Sequence, residues 1–337
     1  MKKTLRILLL AVFLPLVLLA GGLAAGAWWW VERPLALPAD RVDFVVDPGS
    51  GPAAVARKLN QAGIPVHPRA FALLARLTER DTLLKAGGYE ARRGDTAWTL
   101  LDRIARGQMS QRQITLVEGW SYRQIRAALR AHPDVTQTLD GVSDAELLER
   151  LAVQALNPEG LFFPDTYVFT PGTSDFELLR QAHAAMQREL QAAWDQRAEG
   201  LPLATPYEAL ILASIIEKET GHGPERTRVG GVFINRLRTG MLLQTDPTVI
   251  YGMGEAYQGR IRKRDLQTDT PWNTYTRAGL PPTPIASPGR AALLAAVQPE
   301  SHKYYYFVSR GDGTSQFSTN LAEHNRAVSR YILGRNP

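Results

Sequence analysis

The sequence has no cysteine among its 337 residues. This absence excludes a disulfide framework, a zinc site held by thiolates, a cysteine nucleophile and a lipid-modified N-terminal cysteine. Histidine is scarce as well, and His183, His222, His302 and His324 lack the spacing of a metal-binding motif, which disfavours a metalloenzyme. Gly311–Gly313 is too short to be a phosphate-binding loop. No cofactor is therefore expected.

Charge of one sign is not in large excess. Lys plus Arg number 39 and Asp plus Glu number 33, and Lys2, Lys3 and Arg6 supply half of the resulting net charge of +6. Because no basic tail or stripe follows, the sequence argues against a nucleic-acid-binding protein. With 45% hydrophobic and 21% charged residues, the chain is globular rather than disordered or fibrous. Its length allows about two domains of roughly 150 residues.

One long apolar segment lies near the N-terminus. Ile7–Val31 contains no charged residue and exceeds the length of about 20 residues that a membrane-spanning helix requires. Basic residues precede it and Glu32 follows, so the positive-inside rule predicts a cytoplasmic N-terminus. Trp28–Trp30 are predicted to lie at the outer membrane interface. The alternative is a cleaved signal peptide with Ala25–Ala27 as its cleavage site.

A strand–glycine–helix pattern occurs three times after a short linker over residues 32–40. The glycines are Gly49, Gly94 and Gly119, each preceded by an apolar strand and followed by apolar residues at helical spacing. The pattern predicts a small α+β module over residues 41–113, although such units are generic in α+β proteins. Within it, Gly94–Leu100 resembles the start of a LysM carbohydrate-binding repeat. That resemblance implies a LysM-like module.

A buried helix is predicted to carry the catalytic residue. Thr205 is a good N-cap, Pro206 fits the first helical position and Glu208 completes a capping box. Residues 209–216 have no charge and are apolar on every side except at Ser214, which indicates a helix in the protein core. Glu217 then appears abruptly at its end.

Two effects are expected to raise the pKa of Glu217. Burial disfavours its charged form, and so does the partial negative charge at the C-terminal end of a helix. A carboxyl that stays protonated near neutral pH can act as the general acid in glycosidic bond cleavage. By composition alone, however, residues 217–219 are more typical of a solvated helix end.

Polar clusters elsewhere are candidates for the walls of a substrate cleft. Asp165 and Thr166 interrupt the apolar segment 159–169, whose phenylalanines are expected in the core. Val229–Leu237 predicts a second helix, in which two glycines allow close packing. Leu243–Gly252 and the proline-rich Asn273–Gly289 are predicted to be loops. A strand hairpin and a helix beginning at Leu321 close the chain.

Six of these segments together resemble one known family. They are residues 159–169, 213–220, 229–237, 243–252, 273–289 and 317–325, and their order and spacing are similar to those of the YceG-like endolytic murein transglycosylases. The resemblance implies a lyase that cleaves the β-1,4 bond between N-acetylmuramic acid and N-acetylglucosamine, leaves a 1,6-anhydro-muramoyl end and terminates nascent strands. It places the essential glutamate of the family on Glu217.

The sequence patterns and the resemblance together give an expected organisation and a set of candidate contacts. The fold class is α+β, with a cytoplasmic tail (1–6), a transmembrane helix (7–31), the linker, the LysM-like module and a catalytic domain (114–337). The catalytic domain is expected outside the cytoplasmic membrane, with glycan strands and cell-wall synthases as partners. The residues expected to contact the glycan are Asp165, Thr166, Ser214, Asn235, Gln244, Asp246, Thr248, Tyr251, Asn273 and Tyr275.

Two other functions remain open at this point. A hydrolytic muramidase would need a second carboxylate, for which Asp165, Asp246 and Asp269 are candidates. A non-catalytic scaffold would bind glycan through residues 41–113 and recruit synthases, and Glu217 would then be dispensable.

Overall fold

The computed structural model describes residues 2–219, 221 and 223–334. The order of helices and strands is mixed α+β, as predicted. The strands are β1 (Arg41–Val46), β2 (Gly87–Arg92), β3 (Arg112–Thr115), β4 (Thr166–Phe169), β5 (Tyr306–Ser309) and β6 (Ser315–Ser318). The helices are α1 (Lys2–Glu32), α2 (Pro52–Gln61), α3 (Pro68–Leu77), α4 (Ala97–Arg106), α5 (Tyr122–Ala131), α6 (Asp144–Arg150), α7 (Asp175–Asp195), α8 (Pro206–Glu219), α9 (Arg226–Thr239), α10 (Asp246–Met253), α11 (Lys263–Gln267), α12 (Arg290–Val297) and α13 (Leu321–Tyr331).

The strands form three two-stranded sheets: β1 with β2, β3 with β4, and β5 with β6. The first and third are antiparallel, with Phe44 opposite Tyr89 and Phe307 opposite Phe317. Such small sheets are not stable in isolation and depend on the helices packed against them. Accordingly, α2 contacts β1, and α13 contacts both strands of the third sheet.

The chain divides into two compact units, of which the first ends at Arg112 and also includes Val168–Thr173. In this unit Gly49 follows β1 and Gly94 follows β2, and their φ angles of +75° and +95° are easily adopted only by glycine. Helices α2 and α4 then begin as the repeated pattern predicts, and Thr96 caps α4. The predicted apolar positions are fully buried, namely Val55, Leu59, Leu100 and Ile104.

Helix α1 is the long apolar element of the first unit. By length and composition, its stretch Phe13–Glu32, with a mean hydropathy of 1.6, suffices to cross a membrane. The helix continues through Pro15, and the side chains of Trp28 and Trp29 are exposed. Trp30 is half-buried and packs against the core that the first sheet and its helices form. The helix therefore presents apolar side chains outward over most of its described length.

Helix α8 lies at the centre of the second unit, which comprises Gln113–Tyr167 and the chain from Ser174 onward. It contacts α7, α9, α10 and α12, and residues 209–216 are buried, as their uniformly apolar sequence predicts. Helices α9 and α12 also contact each other closely. A Cβ added at Gly230 would lie 2.5 Å from the carbonyl oxygen of Ala295, so glycine is required there.

The prediction of a loop over Leu243–Gly252 is wrong for most of that segment. Asp246 begins α10, which continues to Met253. Pro247 stands at the start of this helix, where its missing N–H has no helical partner to lose and its fixed φ angle is helical. The Asp-Pro pair therefore starts a helix rather than a turn. The expectation for the phenylalanines is confirmed, because Phe162, Phe163 and Phe169 are buried.

Candidate active site

The N-terminal end of α8 is capped largely as the sequence predicts. The Thr205 hydroxyl accepts the backbone N–H of Glu208 at 3.2 Å. The Glu208 carboxylate accepts the backbone N–H of Ala204 at 2.6 Å, one residue before the donor that a standard capping box uses. With its start fixed and its middle buried, α8 brings Glu217 to a defined position at its last turn.

Glu217 is almost enclosed, with 7% of its side chain exposed. Its Oε2 accepts the backbone N–H of Gly289 at 2.9 Å, at the start of α12. Its Oε1 lies 3.5 Å from Nη2 of Arg226, the first residue of α9. The carboxyl therefore faces one neutral donor and one cation, which approach different oxygens.

The pKa of Glu217 is raised above its ordinary value. Burial is the largest cause, because it disfavours the charged form. The hydrogen bond from Gly289 and the charge of Arg226 oppose it, the charge of Glu118 adds to it, and Lys218 opposes it weakly. The direction of the shift agrees with the expectation from the sequence, and burial, one of the two expected effects, is its largest cause.

The sequence analysis did not identify Glu118, which precedes the glycine turn between β3 and α5. Gly119 closes on the segment before α12, because its N–H donates to the Ser287 carbonyl at 2.8 Å. A Cβ at Gly119 would lie 3.8 Å from Cγ of Glu217, so the turn passes directly over the carboxyl-bearing side chain. The sequence feature that could have indicated Glu118 is its position as a charged residue between an apolar strand and the third repeated glycine.

A cavity of about 600 Å³ adjoins Glu217. Gly119 and Lys218, which border Glu217, contribute to its lining. Most of the remaining lining comes from α5, α10 and the segments around them, with Tyr122, Glu159, Tyr251 and Trp272 among its residues. The cavity combines aromatic rings with a few polar groups, which is typical of ligand-binding sites.

Glu159 is the buried acid of this cavity. It is 5% exposed and accepts the backbone N–H of Tyr122 at 2.9 Å. Burial raises its pKa to about 7, against the opposing hydrogen bonds from Tyr122 and from the Tyr251 hydroxyl. Tyr251, one of the predicted contact residues, thus lies beside a carboxyl that the sequence analysis treated only as part of a motif.

Three other predicted contact residues line a second cavity of about 420 Å³ together with Glu219. They are Gln244, Asp246 and Tyr275, and the Tyr275 hydroxyl donates to Asp246 at 2.6 Å. Glu219 accepts a hydrogen bond from Thr245, and burial raises its pKa to about 7. The structure therefore groups these residues around Glu219 rather than beside Tyr251.

The remaining predicted residues divide into an internal and an exposed set. Ser214, Asn235, Thr248 and Asn273 have side chains hydrogen-bonded within the protein. The Ser214 hydroxyl accepts the N–H of Ile285 at 3.0 Å and so ties α8 to the segment that leads to Gly289. Asp165 and Thr166 are exposed. The contacts of all six residues with glycan stay predictions.

The described residues contain no group of three or more His, Asp or Glu side chains arranged to hold a metal ion. His222 lies outside the described residues, as does Thr220 of segment 213–220.

Asp269, a candidate second carboxylate, forms an exposed ion pair with Arg277 at 2.8 Å, and the hydrogen bonds from that guanidinium lower the pKa of Asp269 to about 2.

Comparison with known proteins gives consistent matches. The sequence model of the YceG-like family matches residues 44–330. The endolytic murein transglycosylase of Bacillus subtilis is 28% identical over 312 residues, which cover 88% of this chain and 86% of that protein. The endolytic murein transglycosylase of Streptococcus pneumoniae is 27% identical over 94% of this chain, which spans only 64% of that longer protein. A crystal structure of a YceG-like protein from Listeria monocytogenes matches with a TM-score of 0.53 and 26% identity, over 85% of this chain and 98% of that one.

Proposed function

The chain belongs to the YceG-like family, and from this premise we propose that it is an endolytic murein transglycosylase, a lyase that cleaves the glycan strands of peptidoglycan. The observation that carries the proposal is Glu217, a buried carboxyl at the end of a buried helix beside a cavity. The bond cleaved is the β-1,4 bond between N-acetylmuramic acid and N-acetylglucosamine, and the product has a 1,6-anhydro-muramoyl end.

In the first step Glu217 acts as the general acid. Its raised pKa favours the protonated form at higher pH than an ordinary glutamate allows. We assign the transferable proton to Oε1, because Oε2 accepts the N–H of Gly289 at 2.9 Å whereas Arg226 lies at the longer distance of 3.5 Å from Oε1. It passes to the glycosidic oxygen while the bond between that oxygen and the muramoyl C1 breaks. An oxocarbenium-like centre develops at C1, and Glu217 becomes a carboxylate.

In the second step the same carboxylate acts as the base. It takes the proton of the 6-hydroxyl of the muramoyl sugar while that oxygen forms a new bond to C1. This closes the anhydro ring and returns Glu217 to its acid form. Between the two steps, Arg226 and the N–H of Gly289 stabilise the negative charge. No water is consumed, so the mechanism requires no second carboxylate to activate one.

The cavity beside Glu217 is the proposed glycan-binding cleft. The rings of Tyr251 and Trp272 lie 5.3 Å apart at a steep angle, so they present aromatic surface in two directions. Sugar rings have apolar faces that pack on such surfaces, whereas the polar groups of Tyr251 and Glu159 suit the hydroxyl and amide groups of the sugar. Tyr251 is therefore the predicted contact residue that this cleft supports best.

The proposed enzyme acts at the cytoplasmic membrane, where it would end the elongation of glycan strands. The apolar helix α1 supports a single membrane anchor, with the N-terminus in the cytoplasm and the catalytic unit outside the membrane. An anchored enzyme is suited to cutting strands as they emerge, which would terminate their elongation. We also propose that residues 41–113 form a LysM-like module and that cell-wall synthases are partners.

A hydrolytic muramidase is the second candidate, favoured by one observation. A second carboxylate, Glu118, lies close to Glu217, and hydrolases use such a pair to activate water. The two reactions give different products, because a hydrolytic reducing end is heavier than an anhydro end by one water.

Product analysis of the full-length protein in detergent micelles, with uncrosslinked glycan strands as substrate, tests the proposal. We expect anhydro-muramoyl ends by mass spectrometry with the wild type and none with Glu217→Gln, which should still fold and bind glycan. Glu149→Gln, an exposed change on α6, is the matched control and should cleave normally. Hydrolytic ends would favour the muramidase. Binding without cleavage by the wild type, or turnover by Glu217→Gln, would contradict the assignment of Glu217.

A further inference from the structure

Two carboxylates lie on either side of one glycine. Glu217 accepts the backbone N–H of Gly289 at 2.9 Å. The Glu118 carboxylate packs against the same glycine so closely that a Cβ at position 289 would overlap it. A residue with any side chain at this position would therefore displace Glu118. The φ angle of Gly289 is −79°, which any residue can adopt, so a side chain here would conflict only with the flexible end of Glu118.

The backbone around Glu118 is tied to both segments that form the site. The N–H of Gly119 donates to the Ser287 carbonyl, and the N–H of Ser287 donates to the Trp120 carbonyl, both at 2.8 Å. Lys218, the residue after Glu217, donates from Nζ to the Gly119 carbonyl at 3.3 Å. These bonds fix the backbone of the turn from which the exposed Glu118 side chain extends.

The groups that influence Glu217 come from α8, α9, the start of α12 and the turn before α5. Arg226 at the start of α9 and Lys218 on α8 itself are positive, and the N–H of Gly289 at the start of α12 is a neutral donor. All three favour the ionised carboxyl. Glu118, on the turn before α5, is negative and favours the protonated carboxyl.

We propose that Glu118 is a positioning residue for the reaction, a fixed negative charge that holds Glu217 in its acid form against Arg226 before the glycosidic bond breaks. This inference rests on the proposed function. Glu118 transfers no proton and forms no bond. It acts through Glu217 by setting the upper pH at which the general acid is still protonated.

The pH profile of kcat/KM for glycan cleavage, measured on the full-length protein in micelles, tests the inference with Glu118→Gln. The loss of a negative neighbour lowers the pKa of Glu217, so the alkaline limb of the profile moves toward lower pH. For two charges about 6 Å apart, effective dielectric constants between about 20 and about 80 predict a shift of about 0.5 to about 2 pH units. Because Glu118 is exposed, the shift should shrink in high salt.

Two further variants separate a charge effect from a structural one. Glu118→Asp keeps the charge and should leave the alkaline limb near its wild-type position. Glu149→Gln removes a charge on the exposed face of α6 and should likewise not move the limb. A Glu118→Gln profile that superimposes on that of the wild type would overturn the inference. So would an equal loss of activity at all pH values, because a purely structural role or a direct role at the substrate would produce it.

A second readout does not depend on turnover. Carbon-13 NMR of the protein labelled at the glutamate carboxyls can follow Glu217, whose signal is identified by its absence in Glu217→Gln. We expect this signal to titrate at lower pH in Glu118→Gln than in the wild type. An unchanged titration would refute the role of Glu118 even if the enzyme is active. Absence of anhydro products from the wild type would instead refute the proposed function and leave this measurement valid.

Discussion

Burial raises the pKa of three glutamates of the second unit, but what faces each carboxyl differs. Glu159 accepts hydrogen bonds from the Tyr122 N–H and the Tyr251 hydroxyl, neutral groups that favour its ionised form less than a cation would. Glu219 has Arg236 nearby, but that guanidinium already donates to the carbonyls of Tyr305, Leu242 and Leu243. Glu217 has both the burial that favours its acid form and the donors that stabilise its carboxylate. A residue that must be acid and then base needs both.

Arg226 supplies the opposing charge, and its removal should have the opposite effect to that of Glu118→Gln. Its Nη2 lies 3.5 Å from Oε1 of Glu217, and its side chain is 14% exposed. In Arg226→Gln the cation that lowers the pKa of Glu217 is lost, so this pKa rises. The alkaline limb of the kcat/KM profile should move toward higher pH by about 1 pH unit or more.

The matched control for this prediction is Arg228→Gln on the same helix. Arg228 pairs with Glu300 at 3.0 Å rather than with Glu217, so its removal should leave the profile in place. If Arg226→Gln moves the limb toward lower pH, or both variants move it equally, the assignment of Arg226 as the charge facing Glu217 is wrong.

Glu159 should affect the pH dependence of stability. Its carboxyl has a pKa of about 7 in the folded protein and about 4.5 when unfolded, so the folded state binds more protons between these values. Stability is therefore lost as pH rises through this window, by up to about 3 kcal/mol. Glu159→Gln cannot ionise, so relative to the wild type it should become more stable as pH rises from about 4.5 to about 8. Thermal unfolding at both pH values checks this, and a stability difference independent of pH would contradict it.

At the scale of elements, local patterns were sufficient to predict much of the fold. The cap at Thr205 and the uniformly apolar stretch after it predict α8, because both signals lie within the helix itself. The glycine turns before α2, α4 and α5 were likewise predicted, since a positive φ angle is a local property. The hairpin of β5 and β6 and the helix beginning at Leu321 follow from the same kind of signal.

What the sequence could not reveal depends on contacts between distant residues. The donor to Glu217 is the backbone N–H of Gly289, and a backbone group leaves no trace in the residue type. Glu118 is close to Glu217 only because the turn at Gly119 pairs with Ser287. Burial also distinguishes Glu159 from an ordinary exposed glutamate, and its position at the start of the apolar segment 159–169 does not by itself show that its side chain is buried. Glu217 could therefore be predicted as the general acid from the sequence, whereas the charged groups around it could not.

At the scale of the whole molecule, the proposed role of α1 as a membrane anchor can be tested directly. The side chains of Leu18 and Leu19 are exposed on a helix that is long and apolar enough to cross a membrane. Replacing both with Lys should abolish membrane retention, because each Lys near the centre of a spanning helix costs about 3 kcal/mol. Two such changes disfavour insertion by about four orders of magnitude. Fractionation of cells that produce the full chain with a C-terminal tag measures the effect.

Leu77→Lys is the matched control for this experiment, because Leu77 is 75% exposed at the end of α3, outside the apolar segment. This replacement should leave the protein in the membrane fraction.

N-terminal sequencing of the wild type distinguishes the anchor from a cleaved signal peptide. An anchored chain retains its first residues, whereas cleavage after Ala27 would release a chain that begins at Trp28 and lacks the segment that spans the membrane. The proposed anchor requires an intact N-terminus together with retention that the two Lys substitutions abolish, because a cleaved chain held at the membrane by another contact would not respond to them.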